Sequence, residues 1–226
     1  MQYDQTRARV ETYFDQTATK TWERLTSDAP VSRVRETVRV GRERMRNLML
    51  SRLPDDLRGA RVLDAGCGPG MATIELAKRG AQVVAADISP QLIDIAQLRL
   101  PYDLQRQVSF HVGDMLDPKL GTFDAVIAMD SLIYYTAEDI GGALKKLEPR
   151  VGGPIVFTVA PRTPALMAMW YAGKAFPRSD RSPVMIPHAH TKLAKAAKTA
   201  GVRRMLRPVE RVSSGFYISE AMELRP

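Results

Sequence analysis

With one cysteine, Cys67, in 226 residues, the chain has no means of forming an internal disulfide. Histidine is almost as scarce, at three residues. His188 and His190 have no cysteine or carboxylate at ligand spacing beside them, so no protein-bound metal is expected. The longest apolar stretch, Ala165 to Phe176, contains Lys174 and falls well short of the roughly 20 residues that cross a bilayer. The amino end shows no charged region followed by an apolar core and a cleavage site. These absences predict an intracellular, cytoplasmic protein that does not span a membrane.

What the chain does carry is positive charge. Lysine and arginine outnumber aspartate and glutamate 33 to 25, giving +8, which favours an anionic partner: nucleic acid, a membrane surface or an acidic small molecule. Hydrophobic content of 45% suits a packed core, and the length suits one domain with a lid.

The chain is organised around residues 62–70, Val-Leu-Asp-Ala-Gly-Cys-Gly-Pro-Gly. The apolar run from Arg61 to Ala65 reads as a buried strand that breaks into Gly66, Gly68 and Gly70 before a helix near Met71. Glycine allows positive φ and lets backbone N–H groups approach a ligand. The spacing is one residue short of the dinucleotide fingerprint, and the lysine of a phosphate-binding P-loop is missing. A second strand ends at Asp87, about twenty residues on, where a carboxylate suits ribose hydroxyls. Asp64, just before the glycines, would repel a pyrophosphate and attract a cation. A positively charged nucleoside fits best.

At these residues the chain resembles the class I S-adenosylmethionine-dependent methyltransferases. Asp64, Gly66, Gly68 and Gly70 match their glycine loop, Asp87 their ribose acid, and Gly113-Asp114 the pair after their third strand. Through Val62 to Gly70, Asp87 to Ala96, Met129 to Tyr135 and Pro183 to His188 it is similar, nearly end to end, to the magnesium protoporphyrin IX O-methyltransferases of bacteriochlorophyll synthesis. The resemblance implies S-adenosylmethionine as cofactor, S-adenosylhomocysteine as product and magnesium protoporphyrin IX as substrate. It implies cofactor contacts from Asp64, Gly66, Cys67, Gly68, Gly70, Asp87, Ile88, Asp114, Met115, Met129 and Asp130. It also implies catalytic parts for Tyr13, Tyr134 and Tyr135 and leaves open delivery of substrate by a magnesium-chelatase subunit. Plant and cyanobacterial members carry histidine where this chain has Tyr134.

The expected fold is α/β: a Rossmann-like, seven-stranded, mostly parallel sheet closed by an antiparallel carboxyl-terminal hairpin. Strands at Gln82–Asp87, Val108–Val112, Phe123–Met129 and Pro154–Ala160 alternate with helices at Met71–Arg79, Ser89–Arg99 and Ala137–Leu147. Residues 1–53 form a helical arm and 54–226 the cofactor-binding domain, with a substrate lid at 161–187. Val10, Phe14, Trp22 and Leu25, then Val31, Val34, Val38, Met45, Leu48 and Met49, set an apolar stripe on two arm helices separated by Ser27, Asp28 and Pro30. The other face holds Arg33, Arg35, Arg39, Arg42, Arg44 and Arg46, relieved by Glu36 and Glu43; it is either solvated or meets an anionic substrate or lipid. The lid joins Leu166, Met167, Met169, Trp170, Tyr171 and Phe176 to Arg178 and Arg181 among Pro161, Pro164, Pro177, Pro183 and Pro187. It is a core helix or a surface for a flat apolar substrate, and as the latter would suit peripheral contact with an anionic inner, photosynthetic membrane.

Other residues keep two readings. Asp114 is an Asx-turn residue or, by resemblance, a partner of the adenine amino group. Tyr134 and Tyr135 pack over the cofactor or orient a propionate. His188, at the head of a helix Ala189–Ala200, is structural or an axial ligand to the substrate's magnesium. Residues 202–212 and 215–224 read as a hairpin alternating at Phe216, Ile218, Met222 and Leu224. Methylation of another small planar acid or phenol, such as a quinone precursor, is the second enzymatic reading. A nucleic-acid module ranks last, since no aromatic-interleaved basic strands accompany the charge.

Overall fold

The computed structural model describes residues 2–14, 33–164, 166–168, 171 and 185–226. Trp22, Leu25, Val31, the Ser27–Pro30 turn and the lid positions Met169, Trp170, Phe176, Pro177, Arg178, Arg181 and Pro183 lie outside the described residues, as does the side chain of Val34. Helices α1 (Gln2–Tyr13) and α2 (Arg33–Leu50) precede β1 (Arg61–Ala65), α3 (Met71–Lys78), β2 (Gln82–Asp87), α4 (Pro90–Arg99) and β3 (Val108–Val112). Then come β4 (Ala125–Ala128), α5 (Ala137–Leu147), β5 (Ile155–Pro161), β6 (Pro187–His188), α6 (His190–Thr199), β7 (Met205–Ser214) and β8 (Tyr217–Arg225).

The strands lie in the order β3-β2-β1-β4-β5-β8-β7, with the two-residue β6 pairing the end of β5 off this path. Pairings from β3 through β5 are parallel, and β8 is antiparallel to both β5 and β7. The inner parallel strands β1, β2, β4 and β5 are buried almost throughout because helices cover both sheet faces, whereas the edge strand β3 is half-buried. Successive residues of β4 show the two-residue period: Ala125 and Ile127 enter one apolar cluster, Val126 and Ala128 the other. Ser89 caps α4 by accepting from Leu92 N, with Pro90 at its first position. Thr136 and Asp139 form a capping box at the start of α5.

The two arm helices cover opposite faces of the sheet. Val10 of α1 and Phe14, just past its end, join the cluster that holds Leu63, Leu132 and Tyr135, while Met45 and Met49 of α2 are fully buried in the other, beside Val62 and Leu76. Gly41 allows this approach: a Cβ there would stand 2.6 Å from the Tyr217 ring.

The closing hairpin departs from the expected alternation. Phe216 lies in the turn, 67% exposed, whereas Ser219 to Leu224 are all buried. β8 runs inside the sheet with both faces covered, so no face is left for water. The acids it buries find partners: Glu223 meets Arg52 at 3.0 Å, and Glu220 meets Arg211 at 3.6 Å and shares a hydrogen bond with His190 Nε2. Pro208, which cannot donate to a ladder, sits on edge strand β7, where the register shifts between Pro208 and Glu210. His188 belongs to β6 instead of heading the following helix.

Candidate active site

The carboxyl ends of β1, β2 and β4 open into a cavity of about 430 Å³, within the usual range of small-molecule sites. The glycine loop forms its floor. Gly66, Gly68 and Gly70 have φ of 78°, 52° and 82°. The loop's N–H groups bind the next strand instead of pointing at the cavity: Gly66 N and Cys67 N donate to Ala86 O at 2.8 and 3.0 Å, and Gly68 N donates to Asp87 Oδ2 at 2.8 Å. The glycines are needed for the turn itself and for close approach. Side-chain atoms of Ser131 occupy the space a Cβ on Gly66 would take, one on Gly70 would meet Ala96 at 3.0 Å, and one on Gly68 would meet nothing within 4 Å. Gly68 is therefore where a ligand can lie flat on the backbone. Gly70 does not line the cavity; it starts α3.

Asp87 is buried and also accepts from Ser89 N at 3.0 Å, so its carboxylate ties the glycine loop to the head of α4. Asp64 is 1% exposed and accepts from Thr73 Oγ1 at 2.6 Å. Burial, reinforced by the Asp87 charge and opposed by the Thr73 bond, pushes its carboxyl up to about 6. Cys67, also at the cavity, has its thiol pushed up by burial and is a poor nucleophile.

Asp114 makes the Asx-turn bond to Leu116 N at 2.9 Å, and its two oxygens also accept from Tyr3 Oη and Arg7 Nη1, each at 2.9 Å. Tyr3 stacks on Tyr135 with centroids 4.9 Å apart, and Phe14 meets Tyr134 edge-on at 6.3 Å. Tyr3, Arg7, Val10 and Phe14, at spacings of four, three and four, thus place one stripe of α1 along the cavity. Val10 and Phe14 mark this stripe in the sequence, while Tyr3 and Arg7 end in polar groups that apolar periodicity does not pick out. Tyr13, expected to reach over the substrate, does not line the cavity and packs on Phe14 at 5.3 Å. Tyr134 and Tyr135 do line it, and burial pushes both phenols up, so they remain protonated donors at physiological pH.

Beyond β4, Met129, Asp130 and Ser131 reach the cavity together with Ile88 and Met115. Asp130 holds a left-handed φ of 55°. Its carboxylate pairs with Arg42 and accepts from Thr158 Oγ1 at 3.1 Å and Tyr217 Oη at 3.2 Å. These partners come from α2, β5 and β8, and no sequence spacing announces them. His188, 2% exposed, shares a hydrogen bond between Nε2 and Tyr135 O at 2.9 Å, and burial lowers its pKa. Its position supports the structural reading over the axial-ligand one. Among the described residues no helix is long and apolar enough to cross a membrane.

Two family models match the chain: a methyltransferase domain at residues 62–150 and the magnesium-protoporphyrin IX methyltransferase C-terminus at residues 128–226. The chain is 62% identical to magnesium-protoporphyrin O-methyltransferase of Rhodobacter capsulatus over 99% of this chain and 98% of that one. It is 29% identical to the chloroplastic magnesium protoporphyrin IX methyltransferase of Arabidopsis thaliana, over 96% of this chain and 70% of that one. Among solved structures, magnesium protoporphyrin IX methyltransferase of Synechocystis with bound S-adenosylhomocysteine superposes with a TM-score of 0.83 at 28% identity, covering 97% of this chain and 99% of that one. The sheet order, the glycine loop and the 62% identity with the Rhodobacter protein over nearly the full length of both chains lead to one conclusion: this chain has the class I methyltransferase fold and belongs to the magnesium-protoporphyrin O-methyltransferase family.

Proposed function

We propose that this protein transfers a methyl group from S-adenosylmethionine to a propionate carboxylate of magnesium protoporphyrin IX, giving the monomethyl ester. One observation supports this beyond family membership. A single cavity joins the glycine loop and Asp87 to the aromatic stripe of α1 and to Arg39, Arg42 and Arg46 of α2. A nucleoside cofactor and a flat, anionic ring both find suitable surfaces there.

The chain's residues fit the cofactor. Gly68 is open for close approach, and Asp87, Ile88, Asp114 and Met115 border the end where the nucleoside would lie. Gly66, Cys67, Met129 and Asp130 border the rest, and the Asp64 carboxylate offers negative charge toward a sulfonium. When bound, the cofactor supplies an electrophilic methyl group. The attacking propionate has an ordinary pKa near 4.3 and is ionised at neutral pH, so no base is required. The protonated Tyr134 and Tyr135 orient the propionate by donation, without the full positive charge that would blunt its oxygen. Tyr3 and Phe14, in place of Tyr13, supply the aromatic cover from α1. Holding both partners aligned in a dry site is worth on the order of 7–11 kcal/mol at best.

The net charge of +8 also supports reversible contact with an anionic membrane. The activity is tested by incubating the purified protein with labelled S-adenosylmethionine and magnesium protoporphyrin IX. One methyl group per porphyrin, as a base-labile ester, is expected; absence of transfer refutes the assignment.

A further inference from the structure

Strand β8 is antiparallel to both β5 and β7, so β7 runs in the same direction as the parallel strands. The end of β7 and the two-residue turn Gly215-Phe216 therefore lie at the same end of the sheet as the carboxyl ends of β1, β2 and β4, where the cavity opens. This turn sits directly on α2. A Cβ on Gly215 would stand 2.4 Å from Thr37 Oγ1, and one on Gly41 would stand 2.6 Å from the Tyr217 ring. Thr37 and Gly41 are about one helical turn apart, so Phe216 stands between two neighbours that are each fixed to the same turn of α2. Tyr217 points inward, and its Oη donates to Asp130 on the cavity wall at 3.2 Å. Phe216 is 67% exposed. Val40, on that same turn of α2, lines the cavity and is itself 42% exposed.

We propose that Phe216, with Val40 beside it, is the platform for the part of the porphyrin macrocycle that lies outside the cavity, and so sets specificity for a large, flat acceptor. This rests on the proposed methyl transfer. A tight turn favours Gly, Asn, Asp or Ser, and an aromatic ring left in water contributes nothing to folding. One exposed apolar residue is ordinary surface, but here two flank a single helix–hairpin contact at the cavity mouth. The size of the cavity supplies the occupant. At about 430 Å³ it is near the lower end of the range for one drug-sized ligand, whereas the reaction needs methyl donor and porphyrin together. With one propionate held at Tyr134 and Tyr135, a rigid macrocycle cannot fold in after it and must extend past the mouth. Its apolar plane then meets Val40 and the Phe216 ring, in offset or edge-on contact. A small phenol or acid would fit within the cavity and never reach Phe216.

The test uses the full-length protein carrying Phe216→Ala or Phe216→Trp. Four quantities are compared with wild type: ligand-free thermal unfolding, calorimetric affinity for S-adenosylhomocysteine, affinity for magnesium protoporphyrin IX read from the porphyrin's own fluorescence, and KM and kcat. Phe216→Ala should weaken porphyrin binding and raise its KM by about three- to tenfold, leaving kcat, S-adenosylhomocysteine affinity and unfolding unchanged. Phe216→Trp, which keeps a flat ring at the mouth, should bind porphyrin at least as well as wild type. Unchanged porphyrin affinity in Phe216→Ala overturns the proposal. So does a lowered unfolding temperature or an equal loss of S-adenosylhomocysteine affinity, either of which would make the ring structural. Weakened co-sedimentation with anionic vesicles at unchanged porphyrin affinity also overturns it, assigning the ring to a lipid surface. The fluorescence arm needs no turnover. A wild-type protein that binds porphyrin without methylating it would refute the methyl transfer, while weaker binding by Phe216→Ala would still support the platform.

Discussion

The pair between Arg42 and Asp130 is the contact on which the arm's alignment over the site should most depend. The two side chains are 17% and 7% exposed, so solvent screens them much less than it does a surface pair. Arg42→Met leaves a buried carboxylate with neutral donors from Thr158 and Tyr217. Removing one partner of a buried pair costs about 3–5 kcal/mol, and the surviving hydrogen bonds place this case near 3. Asp130→Asn keeps an acceptor for Thr158 and Tyr217 and tolerates the left-handed φ, but takes the negative charge from beside the Arg42 guanidinium, so a cost of about 2 kcal/mol is expected. The double variant should be less destabilised than the sum of the two, by about 1–2 kcal/mol, because neither charge is then left alone. Urea unfolding of the four proteins closes the cycle. A coupling below about 0.5 kcal/mol would show that the pair does not hold α2 to the end of β4.

Other outcomes follow from the same geometry. Asp87→Ala should weaken S-adenosylhomocysteine binding by roughly 1.5–3 kcal/mol, because it removes a charged acceptor and unties the glycine loop, at Gly68 N, from the end of β2; wild-type calorimetry would refute it. Asp64 titrates near 6, and a sulfonium favours its ionised form, so S-adenosylmethionine affinity should fall as pH drops from 7 to 5. Folding alone has the opposite sign: the raised carboxyl contributes stability below its unfolded value of 3.8, and that stability is lost as pH rises through about 6. Pairing Asp64→Asn with wild type in the titration isolates the effect, since the variant should lose the pH dependence. Deleting residues 1–14 removes Tyr3, Arg7 and Phe14 from the cavity and should lower kcat more than it weakens S-adenosylhomocysteine binding. An unchanged rate in the folded, shortened protein would make α1 only a cover. Co-sedimentation with anionic vesicles should fall with added salt, and indifference to salt or lipid charge would count against membrane contact.

Much of this protein is fixed by local chemistry. The run 61–65 is built on Val62, Leu63 and Ala65 and breaks at three glycines, so strand, turn and helix follow from what those residues permit. Asp87 ends a strand, and Ser89 and Pro90 open a helix, by rules that act within a few residues. Alternation of apolar strands with amphipathic helices then dictates parallel pairing, and the cofactor class follows from the glycine loop and the acid after it. Tertiary structure alone decided which groups meet across long separations. Arg42 reaches Asp130 88 residues away, and Tyr3 reaches Asp114 across 111. It decided that the arm's two helices lie on opposite faces of the sheet, and that α1 turns Tyr3 and Phe14 toward the cavity while Tyr13 packs aside. It also placed His188 on a two-residue strand against Tyr135 and buried both faces of β8. Helical and strand periods record which side of an element is apolar, but the partner across the gap depends on the packing of the whole sheet, which no window of neighbouring residues contains.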